Sequence, residues 1–203
     1  MPDPVVTFYF DIRSPYSYLA RDEVLALPKD FAVTVEALPF AVALEAAHGT
    51  PETRDEREWR KVKYLYMDVR RFANERGLII RGTVKVYNPR TAHAAFLYAR
   101  RLGRERELYD RLLPPFWNRE FDIESVERLV ALLAEVKAEP DGFAKYLDGE
   151  ADAELAAIYQ VADAAGVFGV PTSVYDGELF WGADRVDVLK RRLTRVGLAR
   201  RAA

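Results

Sequence analysis

Two serines and a proline just beyond the first apolar run are the residues of this chain best placed to do chemistry. The run 5–12 stops at Arg13-Ser14-Pro15, and the residues after it take helical spacing, with Tyr18, Leu19, Val24 and Leu25 apolar and Arg21, Asp22 and Glu23 polar. Strand, tight turn and helix are therefore expected in that order. Proline is tolerated in the first turn of a helix, where the N–H it lacks would have no partner, so Pro15 puts Ser14 at the N-cap. Unpaired N–H groups and the positive end of the helix dipole converge on that position. It is a site for an anion, including a thiolate, while serine there is also an ordinary helix cap. The chain contains no cysteine. Dithiol exchange carried by its own sulfur is thereby excluded, as are a disulfide and a Cys-rich zinc site.

A second cluster of signals lies near the C-terminus, in Gly166-Val-Phe-Gly-Val-Pro-Thr-Ser-Val-Tyr-Asp-Gly-Glu-Leu-Phe-Trp-Gly-Ala-Asp-Arg185. Pro171 stands between a glycine-punctuated turn and a β-rich run, where a proline is often held cis. Asp176-Gly177 predicts a two-residue hairpin between 172–175 and 178–181, because that dipeptide tolerates the positive φ angles of a type I′ turn. A last helix is expected from about Ala183.

Taken together, a strand ending at Ser14-Pro15-Tyr16-Ser17, the Gly166-Val-Phe-Gly-Val-Pro-Thr172 stretch, the hairpin and Gly182-Ala-Asp-Arg185 resemble the 2-hydroxychromene-2-carboxylate isomerases. These belong with the kappa-class glutathione transferases in the DsbA-like branch of the thioredoxin superfamily. The resemblance runs through nearly the whole chain. It implies a thioredoxin-like fold, a four-stranded mixed sheet with an inserted all-helical subdomain. It also implies glutathione as the thiol cofactor, with Ser14 hydrogen-bonded to its sulfur. The backbone at Val170, before Pro171, would pair with the cysteinyl segment. Ala183, Asp184 and Arg185 would receive the γ-glutamyl end, Asp184 facing its ammonium. Lys61 resembles a lysine near the glycyl carboxylate, and Thr50 falls where many relatives carry asparagine. In a redox-active relative the two outer positions of the first-helix motif are cysteines. Here they are Ser14 and Ser17, so an incoming thiol, glutathione or another of low molecular weight, must supply the sulfur.

The implied reaction is a cis to trans isomerisation of an unsaturated aromatic acid, between 2-hydroxychromene-2-carboxylate and trans-o-hydroxybenzylidenepyruvate. A kappa-like transferase or peroxidase would use the same thiol site, and a thioredoxin-like binding module would keep the site without turnover. Each residue also has a plainer role: Asp184 and Arg185 as a capping acid and a surface base, Pro171 as a turn proline, Lys61 as a solvated lysine. Tyr16, Tyr18, Trp117 and Trp181 read as packing residues. The two histidines, His48 and His93, are too few and too far apart in sequence to suggest a metal centre.

The elements that must position these residues are read from pattern. The 203 residues fit one domain or one domain carrying an insertion. Thirty basic against 32 acidic side chains, a net charge of −2, provide no field to attract a polyanion, so nucleic acid is not an expected partner. The basic tail 190–201 complements the end of a final helix. No apolar run approaches the roughly 18 residues that span a bilayer, and the N-terminal residues lack a signal-peptide pattern. A soluble cytoplasmic protein is expected. Pro28-Lys-Asp30 reads as a turn and 31–40 as a second strand, completing a βαβ unit. Helices are expected over 55–76, 92–101, 104–118, 124–136, 142–148 and 152–165, with an irregular connector at 77–87. The expected division is a thioredoxin-like domain of 1–44 and 166–203 around a helical subdomain of 45–165. Its charged helices carry many apolar residues and members of the resembled family are commonly dimeric, so a homodimer is expected.

Overall fold

The computed structural model describes residues 2–42 and 53–200. Strand β1 (Val5–Phe10) leads through a turn into helix α1 (Pro15–Leu25). Pro28-Lys-Asp30, expected as a turn, lies within a single helical turn, α2 (Leu27–Asp30), where the proline occupies the tolerated N-terminal position. The second strand, β2 (Thr34–Pro39), is shorter than the 31–40 expected and runs parallel to β1, Val5 opposite Thr34 and Phe10 opposite Pro39. Near the other end of the chain, β3 (Thr172–Tyr175) and β4 (Glu178–Trp181) form an antiparallel hairpin. Positive φ angles at Asp176 (53°) and Gly177 (74°) give it the backbone expected of a type I′ turn. β3 is antiparallel to β1, with Tyr9 opposite Thr172, and the sheet order is β2-β1-β3-β4. This is the four-stranded mixed sheet of a thioredoxin-like fold.

Central position explains the composition of β1. Side chains alternate between faces along a strand, and here both faces are covered. On one face Tyr9 packs with Leu38, Phe40, Ala162 and Val167, with Ile158 and Tyr159 at the margin. Phe40 meets Tyr9 and Tyr159 edge to face, with centroids 6.3 and 5.6 Å apart. On the other face Val6, Phe8 and Phe10 are fully buried, the two phenyl rings stacked at 6.0 Å. A strand buried on both sides reads as a continuous apolar run rather than an alternating one. Helix α1 is in contact with the final helix, α9 (Val186–Arg195), which also touches β3 and β4.

The chain divides by compactness into residues up to Val42 together with those from Ala157 onward, and the intervening 43–156. In the second unit α3 (Glu56–Glu75) starts with a reciprocal capping box, Asp55 accepting from the Glu58 N–H at 2.8 Å while Glu58 accepts from the Asp55 N–H at 3.0 Å. Helix α4 (Arg90–Arg101) is the buried one, carrying Ala92, Ala94, Ala95 and Ala99, whose small side chains allow close approach. It contacts α5 (Glu105–Trp117), α6 (Val126–Glu135) and α7 (Phe143–Gly149). Helix α8 (Ala151–Ala164) returns the chain to the first unit. The connector 77–87 is irregular, as expected. It is tied down through its carbonyls, Arg70 donating to Ile80 O at 2.8 Å and Arg119 to Gly82 O at 2.8 Å and Arg81 O at 2.7 Å. Among the described residues no helix is long and apolar enough to cross a membrane.

Because Phe10 is fully buried and stacked on Phe8 at the end of β1 that leads to Ser14, Phe10→Ala should lower stability by about 3–5 kcal/mol. Urea unfolding at constant m-value measures this. A loss below about 1 kcal/mol would mean that this face of β1 is not the packed core described.

Candidate functional site

The sheet register decides which of the candidate residues meet. β1 ends at Phe10, and the antiparallel partner begins opposite it: Thr172 faces Tyr9, and Trp181 faces Thr172 on the next strand. Pro171 and Gly182 therefore flank the same sheet end from which β1 runs on to Ser14. Gly182 N–H donates to Pro171 O at 2.8 Å, tying the two segments together. The turn Ala183–Arg185, a single turn of 3₁₀ helix before α9, contacts α1. Ser14, Val170, Pro171, Ala183, Asp184 and Arg185 are thus gathered at one end of one sheet. Lys61 lies exposed on α3, in the other compact unit. Thr50 lies outside the described residues.

Ser14 caps α1 as the sequence indicates. Its backbone is extended (φ −88°, ψ 114°) with Pro15 in the first helical turn, and its Oγ accepts from the Ser17 N–H at 3.2 Å. The Ser14 N–H donates to Asp11 O at 2.9 Å, closing a turn over Ile12 and Arg13. Ser14 is partly exposed, whereas Ser17 is fully buried and its Oγ accepts from the Asp11 N–H at 3.4 Å. The two motif serines differ in consequence: Ser14 is accessible at the helix end, and Ser17 is a structural contact beneath it.

The Val170–Pro171 peptide bond is cis. Thr172 Oγ1 donates back to Gly169 O at 2.7 Å, and Pro171 and Thr172 are buried. Val170 is half-buried, and among the described residues its N–H and C=O make no backbone hydrogen bond. An extended ligand segment could pair with that peptide edge as an added strand does. Beside it, Gly182 holds φ at +115°, and a Cβ there would come within 2.5 Å of Asp184 Oδ1. Only glycine lets the chain turn here with the Asp184 carboxylate folded back over it. That carboxylate is exposed and bonds Arg185 Nη1 at 2.5 Å.

Two features of the site were missed from sequence. Trp181, read as a packing residue, is half exposed and meets exposed Phe168 edge to face at 4.8 Å. Its alternation with buried Phe180 in β4 was the available signal. The other is the pair Asp11 and Arg13, a fixed ion pair at 2.6 Å with only 1% and 8% of the side chains exposed. Opposite charges two residues apart, between an apolar strand and a helix cap, are the pattern that could have shown it. Tyr18 and Trp117 are buried, as packing residues should be.

The model of the DSBA-like thioredoxin domain matches residues 5–194. This chain belongs to that family. It is 28% identical to a 2-hydroxychromene-2-carboxylate isomerase of Pseudomonas putida over 95% of each chain, and 26% identical to one of Sphingobium xenophagum, covering 93% of this chain and 97% of that one. A solved 2-hydroxychromene-2-carboxylate isomerase superposes with a TM-score of 0.76 at 26% identity, covering 95% of both chains. The chain contains no cysteine, so it cannot carry out dithiol–disulfide exchange with its own sulfur.

The cap itself is testable without any ligand. Removing the Oγ contact in Ser14→Ala should cost about 1 kcal/mol, whereas Ser14→Gly should cost only a few tenths. Urea midpoints at constant m-value give both numbers, and equal losses would place the effect outside the cap.

Proposed function

We propose that this protein is a thiol-dependent cis-trans isomerase of the 2-hydroxychromene-2-carboxylate isomerase type, with glutathione or another low-molecular-weight thiol as cofactor. The observation that carries the reading is the convergence, at one sheet end of a cysteine-free chain, of a partly exposed serine on a helix N-terminus and an open peptide edge at Val170. The similarity to three proteins bearing that isomerase name supports it.

The residues present suit a small peptide-like thiol. Ser14 Oγ and the first N–H groups of α1 would hold the sulfur and favour its anion. The Val170 N–H and C=O would pair with the cysteinyl backbone, and the exposed Asp184 carboxylate would meet the γ-glutamyl ammonium, beside Ala183 and Arg185. By the family resemblance Lys61 would lie near the glycyl carboxylate, and Thr50, where many relatives carry asparagine, would add a further contact. When bound, the thiol supplies a nucleophilic and easily displaced sulfur, so that a conjugated double bond becomes a rotatable single bond for the lifetime of the adduct. The chain's task is to keep the thiol ionised, to orient the acid substrate and to exclude other outcomes. Phe168 and Trp181 present aromatic surface at this same sheet end, which fits an aromatic acid as second substrate.

In the helical unit α3 leaves Tyr64, Met67 and Phe72 exposed, which supports the expected homodimer. Light scattering at micromolar concentration should give twice the chain mass, and a monomer would remove that assignment.

The activity test is incubation with glutathione and 2-hydroxychromene-2-carboxylate, following formation of the trans product. A stable glutathione conjugate would instead mark a transferase, and binding without turnover a binding module. Ser14→Ala and Ser14→Gly should each lower thiol-dependent turnover about 10- to 100-fold, the scale of one hydrogen bond to a charged group. Full activity at saturating thiol in either variant would remove Ser14 from the mechanism. Asp184→Asn should weaken glutathione binding by about 1.5–3 kcal/mol and leave a thiol without the γ-glutamyl ammonium little changed. Equal losses for both thiols would make Asp184 a structural residue.

A further inference from the structure

Between α5 and α6 of the helical unit lies a groove of about 390 Å³, lined by Arg111 and Pro115 from α5, Phe121 from the connecting loop, and Arg128, Leu132 and Glu135 from α6. Residues three and four apart share one face of a helix, and the lining positions on each helix keep that spacing. The volume is that of a small-molecule site. All of these residues belong to the unit 43–156, and none of them is used by the thiol site proposed at the sheet end.

The groove is apolar in its depth and charged at its rim. Leu132 is 5% exposed, Pro115 and Phe121 are half-buried, and Arg111, Arg128 and Glu135 are exposed. Pro115 follows Pro114 inside α5, and a proline ring brings neither an N–H nor a mobile side chain to the wall it forms. Arg128 is held in place by two contacts: its guanidinium lies 4.7 Å from the centre of the Phe121 ring, and its Nη2 donates to Glu120 O at 2.6 Å. Among the described residues its Nε and Nη1 have no bonded partner. A guanidinium already fixed loses little freedom when it pairs with a carboxylate. Arg111 is held more loosely, 3.8 Å from Glu135 with both side chains exposed. Exposed pairs of this kind are weak, so Arg111 can turn toward a ligand.

Two guanidinium groups against one carboxylate leave one net positive charge beside an apolar bed. An inorganic anion would leave the bed unused, and a neutral apolar molecule would leave the open donors of Arg128 unused. A dianion would be opposed by Glu135. A planar aromatic monoanion uses both parts, its ring against Pro115, Phe121 and Leu132 and its carboxylate on Arg128. We infer that this groove is a binding site for a small aromatic monocarboxylate, held by Arg128, with Arg111 adding an attraction that Glu135 restrains.

The test is an amide chemical-shift titration of the full chain with 2-naphthoate. Binding is expected with a Kd of about 1 mM, the scale for a ligand of about 13 heavy atoms and ordinary efficiency, with the largest shifts at 111–115 and 128–135. The neutral 2-naphthalenemethanol should bind at least about 10-fold more weakly, and Arg128→Gln should weaken 2-naphthoate by a similar factor, as loss of a charge-assisted bond does. Glu135→Gln should tighten binding about threefold, because it releases Arg111 and removes a repulsion of the size found between exposed charges. A merely structural role for these residues predicts no tightening, and an unchanged or weaker affinity in Glu135→Gln overturns the inference. Equal binding of the alcohol, or an unchanged Kd in Arg128→Gln, does the same. Shifts confined to the neighbourhood of Phe168 and Trp181 would place the acid at the sheet end instead and remove the groove as its site. Absence of binding, together with light scattering in which Arg128→Gln halves the mass of a wild-type dimer, would assign the groove to a second copy of the chain. Glu135 is an exposed residue, so its variant keeps the test available should Arg128→Gln fail to fold.

Discussion

The antiparallel register of β3 on β1 is the constraint on which the candidate site depends. With Tyr9 opposite Thr172, the segment preceding β3 arrives where β1 ends, although the two are separated by the whole helical unit in sequence. A slip of one residue would turn every side chain of β3 to the other face. The buried packing of Tyr9 with Val174 and Leu179 on one side, and of Phe8 and Phe10 on the other, forbids that slip. The candidate site at Ser14 is thus located by hydrophobic burial several residues away from it. The hairpin turn at Asp176-Gly177 then fixes where β4 ends, and so where Gly182 and Asp184 stand.

Much of this arrangement was legible in the sequence because it is encoded by residues with narrow backbone preferences. Pro15 marked the first turn of α1, Asp176-Gly177 the hairpin, and the 5–12 apolar run a strand, and all three elements stand there, the strand ending at Phe10. Residues with broad preferences were harder to read. Pro28-Lys-Asp30 lacked the length that distinguishes one helical turn from a loop, and the strand expected over 31–40 extended past the paired residues 34–39 because apolar flanks continue beyond the ladder. Terminal residues of elements are the least determined by local pattern.

Within the site the readable and unreadable parts separate along the same physical line. Ser14 and Pro171 could be chosen because each sits at a position with backbone meaning, a cap and a strand entrance, whereas Asp184 was implied by the family resemblance. The charge pattern of Asp11 and Arg13 is local, but their bonds to Val42 are not, since Val42 lies far along the chain and comes near because β2 is parallel to β1. Trp181 was misread although the alternation along β4, which buries Phe180 and exposes its neighbour, was there to be read.

The energetics of the proposed site show what a serine cap on a helix terminus would do for a bound thiol. A helix terminus contributes about 0.3–1 kcal/mol toward an adjacent anion, and a hydrogen bond to a charged group about 1.5–3 kcal/mol. Together these are worth about one to three pKa units, enough to bring a thiol of ordinary pKa about 8.5 close to neutrality. Nothing further is needed, and more would be counterproductive, since the nucleophilicity of a thiolate falls as its pKa falls. A sulfur that must both add to a conjugated carbon and leave it again works best when its pKa lies near the ambient pH.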